Sequence, residues 1–187
     1  MELSIRPARE SDANAINFIF NQAIEDDDAN LDIDCKDLAY RQRWLKQHDK
    51  RHPVCVGEID GQVVAWASLN SFSERYCYDF VAELSIYVMR SWRNHGIGKA
   101  MLKNMERLAA QIGYYKIILS VYATNHIALH SYRRAGYRDV GVYRAHGYHK
   151  GKLIDIIMME RQLRPDMEKM KKHYSEKYPF YKKFFEQ

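Results

Sequence analysis

From Glu83 to Val88 the chain alternates, with Leu84, Ile86 and Val88 on one side and Glu83, Ser85 and Tyr87 on the other. A period of two predicts a half-buried strand. The period then changes. Met101, Leu102, Met105, Leu108, Ala109 and Ile112 recur at helical spacing, and Gly113 stands ready as a C-cap. The same contrast marks out the rest of the chain. Leu3 to Arg6 reads as an opening strand, and Ser11 or Asp12 can cap a helix carrying Ala15, Ile16, Ile19, Phe20 and Ala23. Leu38, Trp44 and Leu45 predict a second helix. Residues 53–59 and 62–69 are strand-like around Asp60-Gly61, a strong hairpin turn. Lys116 to Tyr122 is a strand, Asn125 to Ala135 a helix ending at Gly136, and 137–143 with 153–159 a last strand pair. Helices interspersed among strands, without repeats or an internal linker, predict one α/β domain: a mixed sheet flanked by helices over residues 1–163.

Residues 164–187 form a separate extension. Pro165 suits the first position of a helix, Met167, Met170, Tyr174 and Tyr178 share a face, and Pro179 ends the run. Phe180, Tyr181, Phe184 and Phe185 follow among lysines. A segment this aromatic is expected to pack on the domain or on a second subunit, so a homodimer is one expectation.

Between strand and central helix lies Arg93-Asn94-His95-Gly96-Ile97-Gly98-Lys99. Two glycines at a helix mouth leave main-chain N–H groups unshielded, and the helix dipole adds partial positive charge, so the turn suits a phosphate or pyrophosphate. A glycine-softened helix start is the plainer alternative.

At 47% hydrophobic and 28% charged residues, the 187-residue chain has the composition of an ordinary globular protein. No apolar run reaches the ~20 residues of a membrane helix, and Met1 to Arg6 lacks a signal architecture, so a cytoplasmic protein is expected. Of the net charge of +5, the extension carries +3, which leaves the body near neutral and argues against a nucleic-acid surface. Cys35, Cys55 and Cys77 are odd in number and widely spaced, which predicts free thiols and no metal site. The acidic run at Asp26, Asp28, Asn30, Asp32, Asp34 and Asp37 imitates a calcium loop. Leu31 stands where that loop needs glycine and Asp37 where it needs glutamate, so no metal is expected.

The strand, the R-x-x-G-x-G turn, the helix, the next strand, and then Asn125, Ala128, Tyr132 and Gly136-Tyr137 together resemble the GNAT superfamily of acetyl-CoA-dependent N-acetyltransferases, over roughly residues 3–163. Within it the chain looks most like the phosphinothricin acetyltransferase branch. Phe20 to Ile24, His52-Pro53-Val54, Ala67-Ser68-Leu69, Glu83 to Val88, Gly151-Lys152 and Asp155 carry that likeness. The resemblance implies acetyl-CoA as donor, its pyrophosphate on Arg93, Asn94, His95, Gly96, Ile97, Gly98 and Lys99. It implies pantetheine along the backbone of Ile86, Tyr87 and Val88, with further cofactor contacts at Asn125, Ala128 and Tyr132. Asn125 can also simply cap its helix. For the acceptor it implies Arg75, Tyr78, Glu83 and His149. Ser73 and Asp79 stand where that branch usually has basic residues, and Tyr132 where it often has histidine.

Acyl transfer to an amine needs a base for the amine and a proton for the thiolate. Glu83, on a half-buried strand, is the candidate base, acting through a water, and Tyr132 the candidate acid. A carboxylate paired with arginine and a core aromatic are their structural alternatives. An α-amine near pKa ~8 asks little of one base, whereas a lysine-like amine near ~10.4 costs ~4.6 kcal/mol to deprotonate at pH 7. The leading expectation is therefore an acetyltransferase acting on a small amino acid-like amine. A polyamine or protein N-terminal acetyltransferase and a non-catalytic acetyl-CoA-binding module are the alternatives.

Overall fold

A computed structural model describes residues 2–26 and 32–185 of the chain. Asp27, Asp28, Asn30 and Leu31 of the acidic run lie outside the described residues. Seven strands form a single sheet: β1 (Ser4–Pro7), β2 (Val54–Ile59), β3 (Gln62–Ser71), β4 (Val81–Val88), β5 (Lys116–Tyr122), β6 (Arg138–His149) and β7 (Lys152–Gln162). Their order across the sheet is β1-β2-β3-β4-β5-β7-β6. Helices α1 (Ala13–Asp26), α2 (Leu38–Lys46), α3 (Ile97–Ile112), α4 (His126–Arg134) and α5 (Met167–Lys177) surround it.

The alternation of β4 sorts the two faces. Leu84, Ile86 and Val88 join the cluster made by Ile97, Met101, Leu102, Met105 and Ala109 of α3. On the other face Ile16, Ile19 and Phe20 of α1 pack with Val56, Trp66 and Tyr87. Met101 and Met105 are fully buried, so truncating either to Ala costs about 2–5 kcal/mol. Gly113 ends α3 at φ 104°, a conformation an L side chain resists. Arg41 of α2 is buried on the α1 side, its guanidinium 4.4 Å from the Phe20 ring and 4.5 Å from Trp44.

Two local readings need correction. Pro165 precedes the cap rather than opening α5: Asp166 caps it, accepting from the N–H groups of Glu168 and Lys169. The penultimate strand runs to His149, not 143, because a bulge between Tyr143 and Gly147 absorbs extra residues and lets pairing with β7 resume at Gly147 and Ile154. Ala145, inside that bulge, has φ 51°. The Asp155 carboxylate holds it there, accepting from the Ala145 N–H at 2.8 Å and from Arg144 at 2.7 Å.

Candidate active site

Among the described strands only β4 and β5 run parallel, and their pairing covers just Val81–Glu83 against Lys116–Ile118. Both strands continue, to Val88 and Tyr122, but apart. Parallel neighbours require a crossover, here α3, whose N-terminus therefore lies at the carboxyl end of β4. Crevices outside the carboxyl ends of parallel strands are where such sheets take ligands. A cleft of about 480 Å³ occupies the divergence. Glu83, Ser85 and Tyr87 line it from β4, Ile118, Ser120 and Tyr122 from β5, Phe72 from the loop after β3, and Tyr143 and His146 from the β6 bulge.

Glu83 is half-buried, and burial pushes its carboxyl above the ordinary glutamate range, with no cation offsetting the shift. This contrasts with Glu160, which Lys116 and Arg138 grip and hold below its usual value. The arginine-paired alternative for Glu83 therefore finds no partner among the described residues. Tyr132, on α4, is half-buried against the α3-side cluster, 5.6 Å from the Tyr137 ring. Desolvation pushes its phenol up to about 12. Glu83 points away from the Leu84 side, where Tyr132 packs, so the two residues stand on opposite faces of the sheet, and of the two only Glu83 lines the cleft.

At the helix mouth, Asn94 (φ 66°) and Gly96 (φ 78°) both take left-handed conformations. The first helical bond runs from the Ala100 N–H to the Gly96 carbonyl at 3.1 Å. The amides of Ile97, Gly98 and Lys99 precede it and belong to the unsatisfied first turn. A Cβ placed on Gly96 would meet no protein atom within 4 Å, and one on Gly98 only Val88, at 3.7 Å. The glycines thus leave open a hollow in front of free amides, which fits a diphosphate. Lys99 and His95 are exposed beside it. Arg93 is engaged elsewhere: its Nε donates to the Val88 carbonyl at 3.2 Å, and its guanidinium meets Asp26 at 2.7 Å. Arg90, and after it Arg93, hold the Asp26 carboxyl below the usual range despite its burial. These ion pairs fasten the end of α1 to the turn.

Asn125 caps α4, accepting from the Ala128 N–H at 3.0 Å. The acceptor residues expected from sequence are dispersed. His149 is buried at the far end of β6, opposite Lys152. Arg75 is exposed on the loop after β3, and Tyr78 stands edge-on to Phe72 with ring centroids 5.3 Å apart. Of that loop it is Phe72 that reaches the cleft. Sequence reasoning missed Phe72, Tyr143 and His146. The signal for the last two was Asp155, noted only as part of a family likeness and not as the anchor of a bulge.

A split between parallel strands, an amide-lined turn at its end and an unpaired, half-buried carboxylate beside it define an enzyme that carries a group on a phosphorylated cofactor. The chain belongs to the acetyltransferase (GNAT) family, whose sequence profile matches residues 16–137. It is an N-acetyltransferase of the acyltransferase class, and acetyl-CoA is its donor. A phosphinothricin N-acetyltransferase of Alcaligenes faecalis is 25% identical over 162 residues, 86% of this chain and 82% of that protein. An L-methionine sulfoximine/L-methionine sulfone acetyltransferase of Pseudomonas paraeruginosa is 26% identical over 167 residues, 88% of this chain and 97% of that one. Among solved structures, a ribosomal-protein-alanine N-acetyltransferase from Brucella melitensis superposes with a TM-score of 0.83 at 30% identity, covering 86% of this chain and 99% of its own. No described helix is long and apolar enough to cross a membrane.

Proposed function

We propose that the protein acetylates the α-amine of a small amino acid-like acceptor, by direct attack within a ternary complex, in the cytoplasm. One observation carries this reading: Glu83, half-buried and without an ion-pair partner among the described residues, lines a cleft that suits a small molecule. The curated relatives named above support the acceptor class, since each is named for an amino acid analogue.

Acetyl-CoA supplies an activated acyl group, and the chain's residues do the remainder. The amides of Ile97, Gly98 and Lys99 hold the diphosphate end, and the stretch of β4 beyond its pairing with β5, from Ile86 to Val88, receives the pantetheine arm as an added strand would, with Arg93 Nε already on the Val88 carbonyl. The Glu83 carboxylate takes the proton of the incoming ammonium through a water. Its raised pKa brings it nearer to that of an α-amine, so the transfer is less uphill. Tyr132 Oη keeps its proton at neutral pH and directs it toward the developing sulfur charge. Phe72, Tyr143 and His146 shape the acceptor side. The outer hairpin leaves Val142, Tyr148 and Leu153 exposed, a face that suits a second copy of the chain.

The test is thiol release across L-methionine sulfone, phosphinothricin, spermidine and a peptide N-terminus. Turnover on the first two supports the proposal. Turnover confined to spermidine or the peptide overturns the acceptor class, and cofactor binding without turnover on any amine overturns the catalytic reading.

A further inference from the structure

The loop from Phe72 to Phe80 places Phe72 in the cleft wall, and its own hydrogen bonds are few and short in range. Within it, the Tyr78 N–H reaches the Arg75 carbonyl at 2.9 Å and the Asp79 N–H the Tyr76 carbonyl at 3.1 Å. Much of its anchorage comes from the far end of the chain. The Asp79 carboxylate, 10% exposed, accepts from His173 Nε2 and from Lys177 Nζ at 2.9 Å, both on α5. Arg51 closes the cluster, donating to the Asp79 carbonyl. Tyr174, buried, donates its hydroxyl to the Tyr76 carbonyl at 2.9 Å, and the Tyr76 ring meets Tyr178 and Phe180, each at 5.4 Å. On its other side α5 lies hard against the end of α3: a Cβ on Gly113 would stand 3.4 Å from the Met170 Cα. The extension is therefore seated, not draped.

We propose that the C-terminal extension is a positioning element of the acceptor site, which clamps the 72–80 loop through Asp79 and so fixes Phe72 in the cleft wall. Naming that wall the acceptor side rests on the function proposed above. The extension lies outside the matched family region, residues 16–137, and 97–99% of each of two relatives is accounted for by 86–88% of this chain. Those two relatives are thus matched almost in full with about an eighth of this chain left over. His173, Lys177 and an aromatic helix secure a loop whose Tyr78 in turn meets Phe72.

The test uses the full chain with Asp79→Asn, the pair His173→Gln with Lys177→Met, their combination, and Lys177→Arg. L-methionine sulfone is the acceptor. The proposal expects the acceptor KM to rise about tenfold in Asp79→Asn and in the tail pair, with no further rise in the combination. The acetyl-CoA Kd by calorimetry stays within about twofold, and Lys177→Arg keeps the wild-type KM. A rise in Asp79→Asn that the tail pair does not share would overturn the clamp, since Asp79 would then act without α5. An equal loss of cofactor affinity would overturn it too, because the effect would be general unfolding. Hydrogen exchange of amides 76–80 is measured on the same variants. If no amine is turned over, the acceptor reading has failed and exchange alone decides. Protection falling about tenfold in both Asp79→Asn and the tail pair supports the clamp, and unchanged protection contradicts it.

Discussion

Glu83 and Tyr132 are both shifted upward by burial, with opposite consequences for proton transfer. For Glu83 the shift keeps the carboxyl protonated at pH values where a free glutamate, near ~4.3, is already ionised, so the acid limb of kcat lies above that value. Glu83→Gln is expected to lower kcat at pH 7 by about 10²-fold and much less at pH 9, where an α-amine is already neutral. Equal losses at both pH values would remove Glu83 as the base. The same shift has a stability signature. A carboxyl whose folded pKa exceeds its unfolded one loses stability as pH rises through that interval, so Glu83→Gln should raise Tm at pH 7 in thermal melts. A phenol at about 12 stays protonated throughout the working range. It is a weaker acid than a thiol near ~8.5, so its help is a hydrogen bond to sulfur as charge develops. Tyr132→Phe should cut kcat about tenfold to a hundredfold with no change in the alkaline limb. A limb that moves with this variant would contradict the assignment.

At the level of elements, α3 and its glycine turn could be read directly, because helical spacing, a C-cap glycine and a helix-mouth glycine pair are local signals. The β6 bulge could not. Its strand is exposed on nearly every residue, so no alternation marks it, and the extra residues at Arg144 and Ala145 break the period of two. Tyr143 and His146 therefore reach the cleft unannounced, while His149, expected there, turns into the interior. What keeps the bulge is Asp155, and Arg144 and the Ala145 amide in turn hold its carboxyl below the ordinary range. Asp155→Ala leaves a strained residue without its anchor. It should lower the midpoint of denaturant unfolding and raise the acceptor KM while sparing acetyl-CoA affinity. Unchanged acceptor kinetics would mean the bulge does not shape the site.

Across the whole molecule, carboxylates tie neighbouring elements together. Arg6 holds Asp12, Arg90 and Arg93 hold Asp26, Lys116 and Arg138 hold Glu160, and His173, Lys177 and Arg51 hold Asp79 against the burial that would raise it. All four lie below their unfolded values. Their contribution is thus complete above about pH 4–5 and is lost as pH falls through the folded values. Tm should hold from pH 7 to 5 and fall steeply below pH 4; a melting curve flat to pH 3 would show these pairs to be idle. The seven-strand sheet followed from patterns in the sequence, whereas the docking of the extension on the 72–80 loop did not. Pairs such as Asp79 with His173 and Lys177 are set by tertiary contact and leave no periodic trace. Donor binding depends on the amides at the mouth of α3, and isothermal calorimetry of acetyl-CoA with the wild type and Gly96→Val tests them most directly. Since a Cβ at Gly96 meets no protein atom within 4 Å, the substitution should leave a folded protein, lower in Tm by the cost of its left-handed backbone. Affinity is expected to fall by about thirtyfold or more. Full affinity in that variant, or no heat with the wild type, would contradict the account.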